Sequence, residues 1–72
     1  MEIIEIKAKR VYAKGIEPTD KQMQYLRSFE NVEFVGRFNK SQLFKYFTKF
    51  QISKAIDEAK KGNKVILFNE KI

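Results

Sequence analysis

Arg37, Lys40, Lys45, Lys49 and Lys54 are five cations spread over residues 37–55 with no carboxylate among them, and Phe38, Leu43, Phe44, Tyr46, Phe47, Phe50 and Ile52 fill most of the gaps. Ammonium and guanidinium groups neutralise backbone phosphates, and exposed rings stack on bases. The chemistry this pattern suits is therefore phosphate contact, with or without base stacking. The whole chain carries a net charge of +6 from fifteen Lys and Arg against nine Asp and Glu. Most of that excess lies in this one segment, and a local excess of one sign says more about a partner than a diffuse one.

Not every residue of the segment can serve a partner. Leu43, Phe44 and Phe47 share one helical face and are expected in the core. Tyr46 and Phe50 lie off that face beside lysines, and Phe38 is a further ring that could stack; each is read either as a stacking group or as packing. The lysines either hold phosphate or solvate an outer face. The candidate binding set is Arg37, Lys40, Lys45, Tyr46, Lys49, Phe50 and Lys54. Lys7, Lys9 and Arg10 form a second basic cluster, which protects a sheet edge from aggregation if it does not bind anything.

Catalysis has little to draw on. The chain contains no Cys and no His, which removes disulfides, thiolate nucleophiles, Cys/His zinc sites and imidazole acid-base chemistry. The carboxylates are scattered among lysines. Asp57 and Glu58 are adjacent, but neighbours on a helix point about 100° apart. The expectation is a protein that is not an enzyme, with no cofactor and no metal.

The elements that must position the basic segment follow from periodicity. Seventy-two residues, 43% of them hydrophobic, make one domain spanning 1–72, near the size at which a chain can still bury a core without staples. Alternation from Glu2 to Tyr12 predicts a half-buried strand ended by Lys14-Gly15. Pro18 and the capping box Thr19-Asp-Lys-Gln22 open a helix carrying Met23, Leu26 and Phe29, ending near Glu30-Asn31. Asn31 to Gly36 reads as a brief strand or connector. Two helical stretches follow nearly end to end. Asn39 or Ser41 caps the first; Thr48-Lys-Phe-Gln51 caps the second, whose stripe is Ile52, Ala55, Ile56 and Ala59. Lys60, Lys61 and Gly62 suit its C-terminal end, and Lys64 to Asn69 is a last strand, central or paired with the first. The predicted fold is α+β, order β-α-(β)-α-α-β, with a small two- or three-stranded sheet, its N- and C-terminal strands paired, packed against two or three helices.

Lys21, Lys40 and Lys49 fall in the first turns of predicted helices, where a cation typically costs ~0.3–1 kcal/mol. An anion resting on the first-turn amides would offset that cost.

Thr19-Asp-Lys-Gln-Met-Gln-Tyr-Leu26 and Thr48-Lys-Phe-Gln-Ile-Ser-Lys-Ala-Ile-Asp-Glu-Ala-Lys-Lys61 together resemble a small helical module of phage and mobile-element proteins, with the pattern Thr-x-Lys-Gln-x-x-Tyr-Leu followed by Thr-Lys-x-x-Ala-Ser-x-x-Ile. The match covers about twenty-two of the 72 residues. Here Ile52 stands where alanine is usual, and the segment from Arg27 to Phe47 is longer than the pattern's connector. The resemblance implies work alongside replication or recombination. Thr19, Gln22, Tyr25, Leu26, Ile52 and Ile56 are also the residues that capping and packing require.

Two functional readings result. The first is a small nucleic-acid-binding accessory protein, phage or mobile-element encoded, that contacts phosphate backbone, DNA before RNA, through a basic helical face. The second is an inhibitor or adaptor that presents the same face to an acidic host protein surface. The start Met1-Glu-Ile-Ile-Glu-Ile-Lys lacks the pattern of a signal peptide and no stretch suits a membrane span, so the expected location is cytoplasmic, without membrane partners. The expected state is monomer or homodimer, the latter by pairing of the last strand across a two-fold axis.

Overall fold

The computed structural model describes residues 2–8, 15–38 and 45–69. The chain is an α+β domain with element order β1 (Ile3–Lys7), α1 (Asp20–Arg27), β2 (Val32–Val35), α2 (Lys49–Lys60) and β3 (Lys64–Phe68). The sheet runs β1-β3-β2, with β3 in the middle and parallel to both neighbours. The first and last strands pair, as their sequences suggest. Because β3 is bonded on both sides, it has no edge to offer a second copy, and a dimer made by its pairing across a two-fold axis is excluded.

Period-2 alternation sets the two faces of the sheet. Ile4, Ile6, Val32, Phe34, Val65 and Leu67 line the helix-covered face; Ile6, Val65 and Leu67 are buried outright, the others partly. Ile3, Glu5, Lys7, Glu33, Val35, Lys64, Ile66 and Phe68 occupy the opposite face, where Ile3 and Val35 are exposed. Parallel sheets usually have both faces covered; on this second face the edge-strand residues Ile3 and Val35 are exposed while Ile66 and Phe68 of the central strand are half-buried.

The helices follow from their caps and stripes. In α1 the Thr19 hydroxyl accepts from the Gln22 amide at 3.1 Å while the Gln22 side chain accepts from the Thr19 amide at 3.0 Å. In α2 Thr48 and Gln51 repeat the exchange at 3.1 and 2.9 Å. Both capping boxes are thus formed as read. Ile52, Ala55, Ile56 and Ala59 are all buried. At the far end of α2, Gly62 has φ +89° and its amide donates to the Ala59 carbonyl, while the Asn63 amide donates to Glu58. That paired closure needs a left-handed residue at Gly62.

α1 stops at Arg27, short of the expected Glu30-Asn31; there the Ser28 hydroxyl donates to the Tyr25 carbonyl at 2.6 Å, a side-chain bond of the kind that competes with the helical ladder. The helical stretch expected after Asn39 or Ser41 falls largely outside the described residues, as do Leu43 and Phe44. Its last part, Lys45–Phe47, is a turn. Phe47 is fully buried, as expected of that apolar face.

Leu26 of α1 belongs to the same buried cluster as α2 and the sheet, and α1 packs chiefly on α2. The β1-to-β2 and β2-to-β3 connections cross the sheet in opposite directions under one helical layer, so they have opposite hands. Right-handed connections are the rule, and one of these two departs from it.

Candidate functional site

Parallel pairing puts the three strand ends Lys7, Phe68 and Val35 in one row, and each helix runs back antiparallel to the strands. Both helix N-termini therefore lie at the C-terminal edge of the sheet, the edge at which open sheets of parallel strands commonly bind ligands. Two bonds tie α2 there: the Gln51 side-chain amide donates to the Lys7 carbonyl at 3.1 Å, and the Lys49 amide donates to the Ile16 carbonyl at 2.7 Å. At the opposite edge Asn31 donates to the Ala59 and Asn63 carbonyls at 3.0 and 2.7 Å, holding the C-terminal end of α2.

The C-terminal edge gathers Arg37, Lys45 and Lys49, with Lys7 and Lys21 beside them. Arg37 arrives through β2. Gly36 turns the chain at φ +105°, and a Cβ there would run into the Asn69 carbonyl. The Asn69 side chain then donates to the Arg37 carbonyl at 2.6 Å, and its amide to Val35 at 3.0 Å. Neither Gly36 nor Asn69 was singled out by the sequence reading; the signal was a glycine at the end of an alternating run.

Lys45 is brought alongside by aromatic packing. Phe38 meets Tyr46 edge-on at 5.1 Å and Phe47 in a tilted contact at 5.7 Å, and Phe34 joins both Phe38 and Phe47 at 5.8 and 6.4 Å. Arg37 and Lys45 flank the Phe38–Tyr46 contact in sequence. This cluster continues the core beneath the charged edge, and Phe38 and Tyr46 are half-buried in it. Tyr46 is thereby occupied as a packing group, where the sequence left stacking open. Phe50 is 66% exposed, with Lys49 Nζ 5.5 Å from its ring centroid. Lys54 leans the other way, toward Glu58 at 3.7 Å. Lys40, Lys9 and Arg10 lie outside the described residues.

Salt bridges separate the two edges. Among the described residues Arg37, Lys45, Lys49 and Lys21 make none. Lys61 reaches Glu58 at 3.8 Å and Lys64 reaches Glu33 at 3.2 Å, toward the other edge. Asn63 donates to the Glu58 carboxylate at 2.8 Å, and that bond, aided by Lys61 and Lys54, holds the Glu58 carboxyl below the usual glutamate range against a smaller desolvation effect. Carboxylates are not wholly absent from the basic edge: Asp20 sits in the first turn of α1, and Glu17 accepts from the Gly15 amide at 3.2 Å.

Anion binding on the helix amides finds less room than the lysine placements suggested. In the first turn of α2, Lys49 N–H is taken by Ile16 and Gln51 N–H by Thr48. Charge at this edge is carried by side chains. No group of three or more Asp or Glu that could hold a metal ion occurs among the described residues, and no described helix is long and apolar enough to cross a membrane.

No protein-family model, curated protein or solved structure matches the chain. The functional reading rests on the residues and their placement.

Proposed function

We propose that this chain is a small non-catalytic nucleic-acid-binding protein that holds phosphate backbone against the C-terminal edge of its sheet, through Arg37, Lys45 and Lys49, with Lys40 as a further contact and Lys54 set aside by its pairing with Glu58. The carrying observation is the segregation of charge. Arg37, Lys45 and Lys49 stand at one edge without salt bridges, whereas the ion pairs of Glu58 and Glu33 gather toward the other. Leaving like charges together costs stability through self-repulsion, and a polyanion removes that cost when it binds. Lysine predominates over arginine, which favours contact with backbone over reading of bases. The resemblance of the two Thr-x-x-Gln segments to a phage and mobile-element module supports a setting beside replication or recombination, with DNA as the first target to try.

The test is a titration of the full chain against labelled single- and double-stranded oligonucleotides at low salt. Binding that weakens log-linearly with salt is the expected result; no binding to either form refutes the reading. The exposed Phe50 also fits an anchor on an acidic protein surface. Capture from a host lysate with and without nuclease separates the two: a protein partner that survives nuclease supports an inhibitor or adaptor.

A further inference from the structure

Phe50 is the most exposed aromatic ring among the described residues, and it does not belong to the core it sits beside. It lies two positions before Ile52, about 200° around the helix from the buried stripe, so its ring faces outward. Lys49 Nζ stands 5.5 Å from the ring centroid. Lys54, four residues on, shares that side of the helix but is paired with Glu58, and Lys45 and Arg37 belong to the same C-terminal edge as Lys49. A lone exposed phenylalanine on a surface needs no explanation. One set among cations, with an ammonium already on the ring, offers a single-stranded nucleic acid both things it presents: a base face and a charged backbone.

The other described rings of this region are engaged elsewhere. Phe34, Phe38, Tyr46 and Phe47 are packed on one another, so among the described rings here Phe50 is the one left to take a base. A duplex keeps its bases stacked inside and gains nothing from Phe50. We infer that the basic edge selects single-stranded nucleic acid, one unstacked base lying on Phe50 while Arg37, Lys45 and Lys49 hold the neighbouring phosphates. The inference rests on the nucleic-acid reading above and narrows it. It draws nothing from the helix amides, two of which are already bonded within the chain.

The test compares the native chain, Phe50→Ala and Phe50→Trp by fluorescence anisotropy at one salt concentration, using an oligothymidylate of about 15 nucleotides and a duplex of the same length. A stacked base is worth about 1–3 kcal/mol, so Phe50→Ala weakens single-strand binding about 5- to 150-fold, while duplex affinity stays within about twofold, as expected of backbone contact alone. Phe50→Trp keeps single-strand affinity. Because the chain has no native Trp, its indole emission reports that one position and is quenched by the oligothymidylate and unaffected by the duplex. Equal losses on both ligands, or no loss on either, overturn the inference and leave the broader reading standing. Failure of the native chain to bind either ligand overturns both. Circular dichroism of Phe50→Ala confirms the fold, since a ring this exposed contributes little to it.

Discussion

The two ends of the sheet are built to different rules. At the N-terminal edge several polar groups are satisfied within the chain: Asn31 closes on the Ala59 and Asn63 carbonyls, Asn63 on Glu58 and on the Glu2 amide, and Lys61 and Lys64 on carboxylates. At the C-terminal edge the backbone is equally well bonded, through Gln51, Asn69 and the Thr48 box, but Arg37 and Lys45 are exposed and, with Lys49, make no salt bridge among the described residues. Polar groups that hold a fold together find partners within it, and under the function proposed above the first end is structural and the second is the one open to a partner.

The largest effect that sharpens this contrast lies beneath the basic edge. Phe47 is fully buried and joins the ring cluster under Arg37 and Lys45. Phe47→Ala should cost about 3–5 kcal/mol by urea denaturation, a large part of the stability of a domain this size. A loss below about 1 kcal/mol would mean that the charged edge does not stand on the core. Next is Asn31→Ala, which removes the side-chain donor shared by the Ala59 and Asn63 carbonyls, of which Ala59 keeps the Gly62 amide, and should cost about 1–3 kcal/mol while leaving nucleic-acid affinity unchanged. If affinity fell with it, the division of labour between the edges would fail.

Gly36→Ala acts at the opposite end. Positive φ and the Asn69 carbonyl both resist a side chain there, and the strain is about 1–2 kcal/mol. Because Gly36 sets the position of Arg37, this variant should also weaken oligonucleotide binding, which Asn31→Ala should not. Thr48→Ala removes the α2 cap for about 1 kcal/mol.

The smallest effect is a pH dependence at the structural edge. The Glu58 carboxyl is held below its ordinary range by Asn63 and the two lysines. Its contribution is therefore complete above the unfolded pKa and is lost as pH falls through the folded one. The difference in melting temperature between the native chain and Glu58→Gln should be constant near neutrality and close as pH drops below about 4. A gap that persists to lower pH would assign the Glu58 effect to packing.

How far the sequence foretold this contrast depends on the range of the signal. Capping boxes and the Ile52–Ala59 stripe are local, and both appear as read. So do the β2 strand within Asn31 to Gly36 and the left-handed Gly62. The pairing of β1 with β3 was also legible, from an alternating first run and a continuous apolar last one. A central place was one of the two readings of the last strand and is the one observed; strand direction was not legible, because the same alternation serves parallel and antiparallel ladders. Without direction, the ends of strands and helices cannot be sorted to one edge or the other. The basic segment could be seen as a run but not as an edge, and the turning of Lys54 to Glu58 and of Tyr46 into the ring cluster had no linear signature. The Ser28 hydroxyl bond where α1 stops is a side-chain contact that propensity does not register.

The central claim is that phosphate is held at the C-terminal edge and nowhere else. Its most direct test is the salt dependence of duplex DNA affinity for two triple variants, Arg37→Gln/Lys45→Gln/Lys49→Gln at the basic edge and Lys60→Gln/Lys61→Gln/Lys64→Gln at the other, each with the same loss of charge. The account predicts that the first reduces the slope of log affinity against log salt by about 2–3 and that the second leaves it unchanged. Equal reductions from both would show binding to diffuse positive charge, and no reduction from the first would contradict the claim.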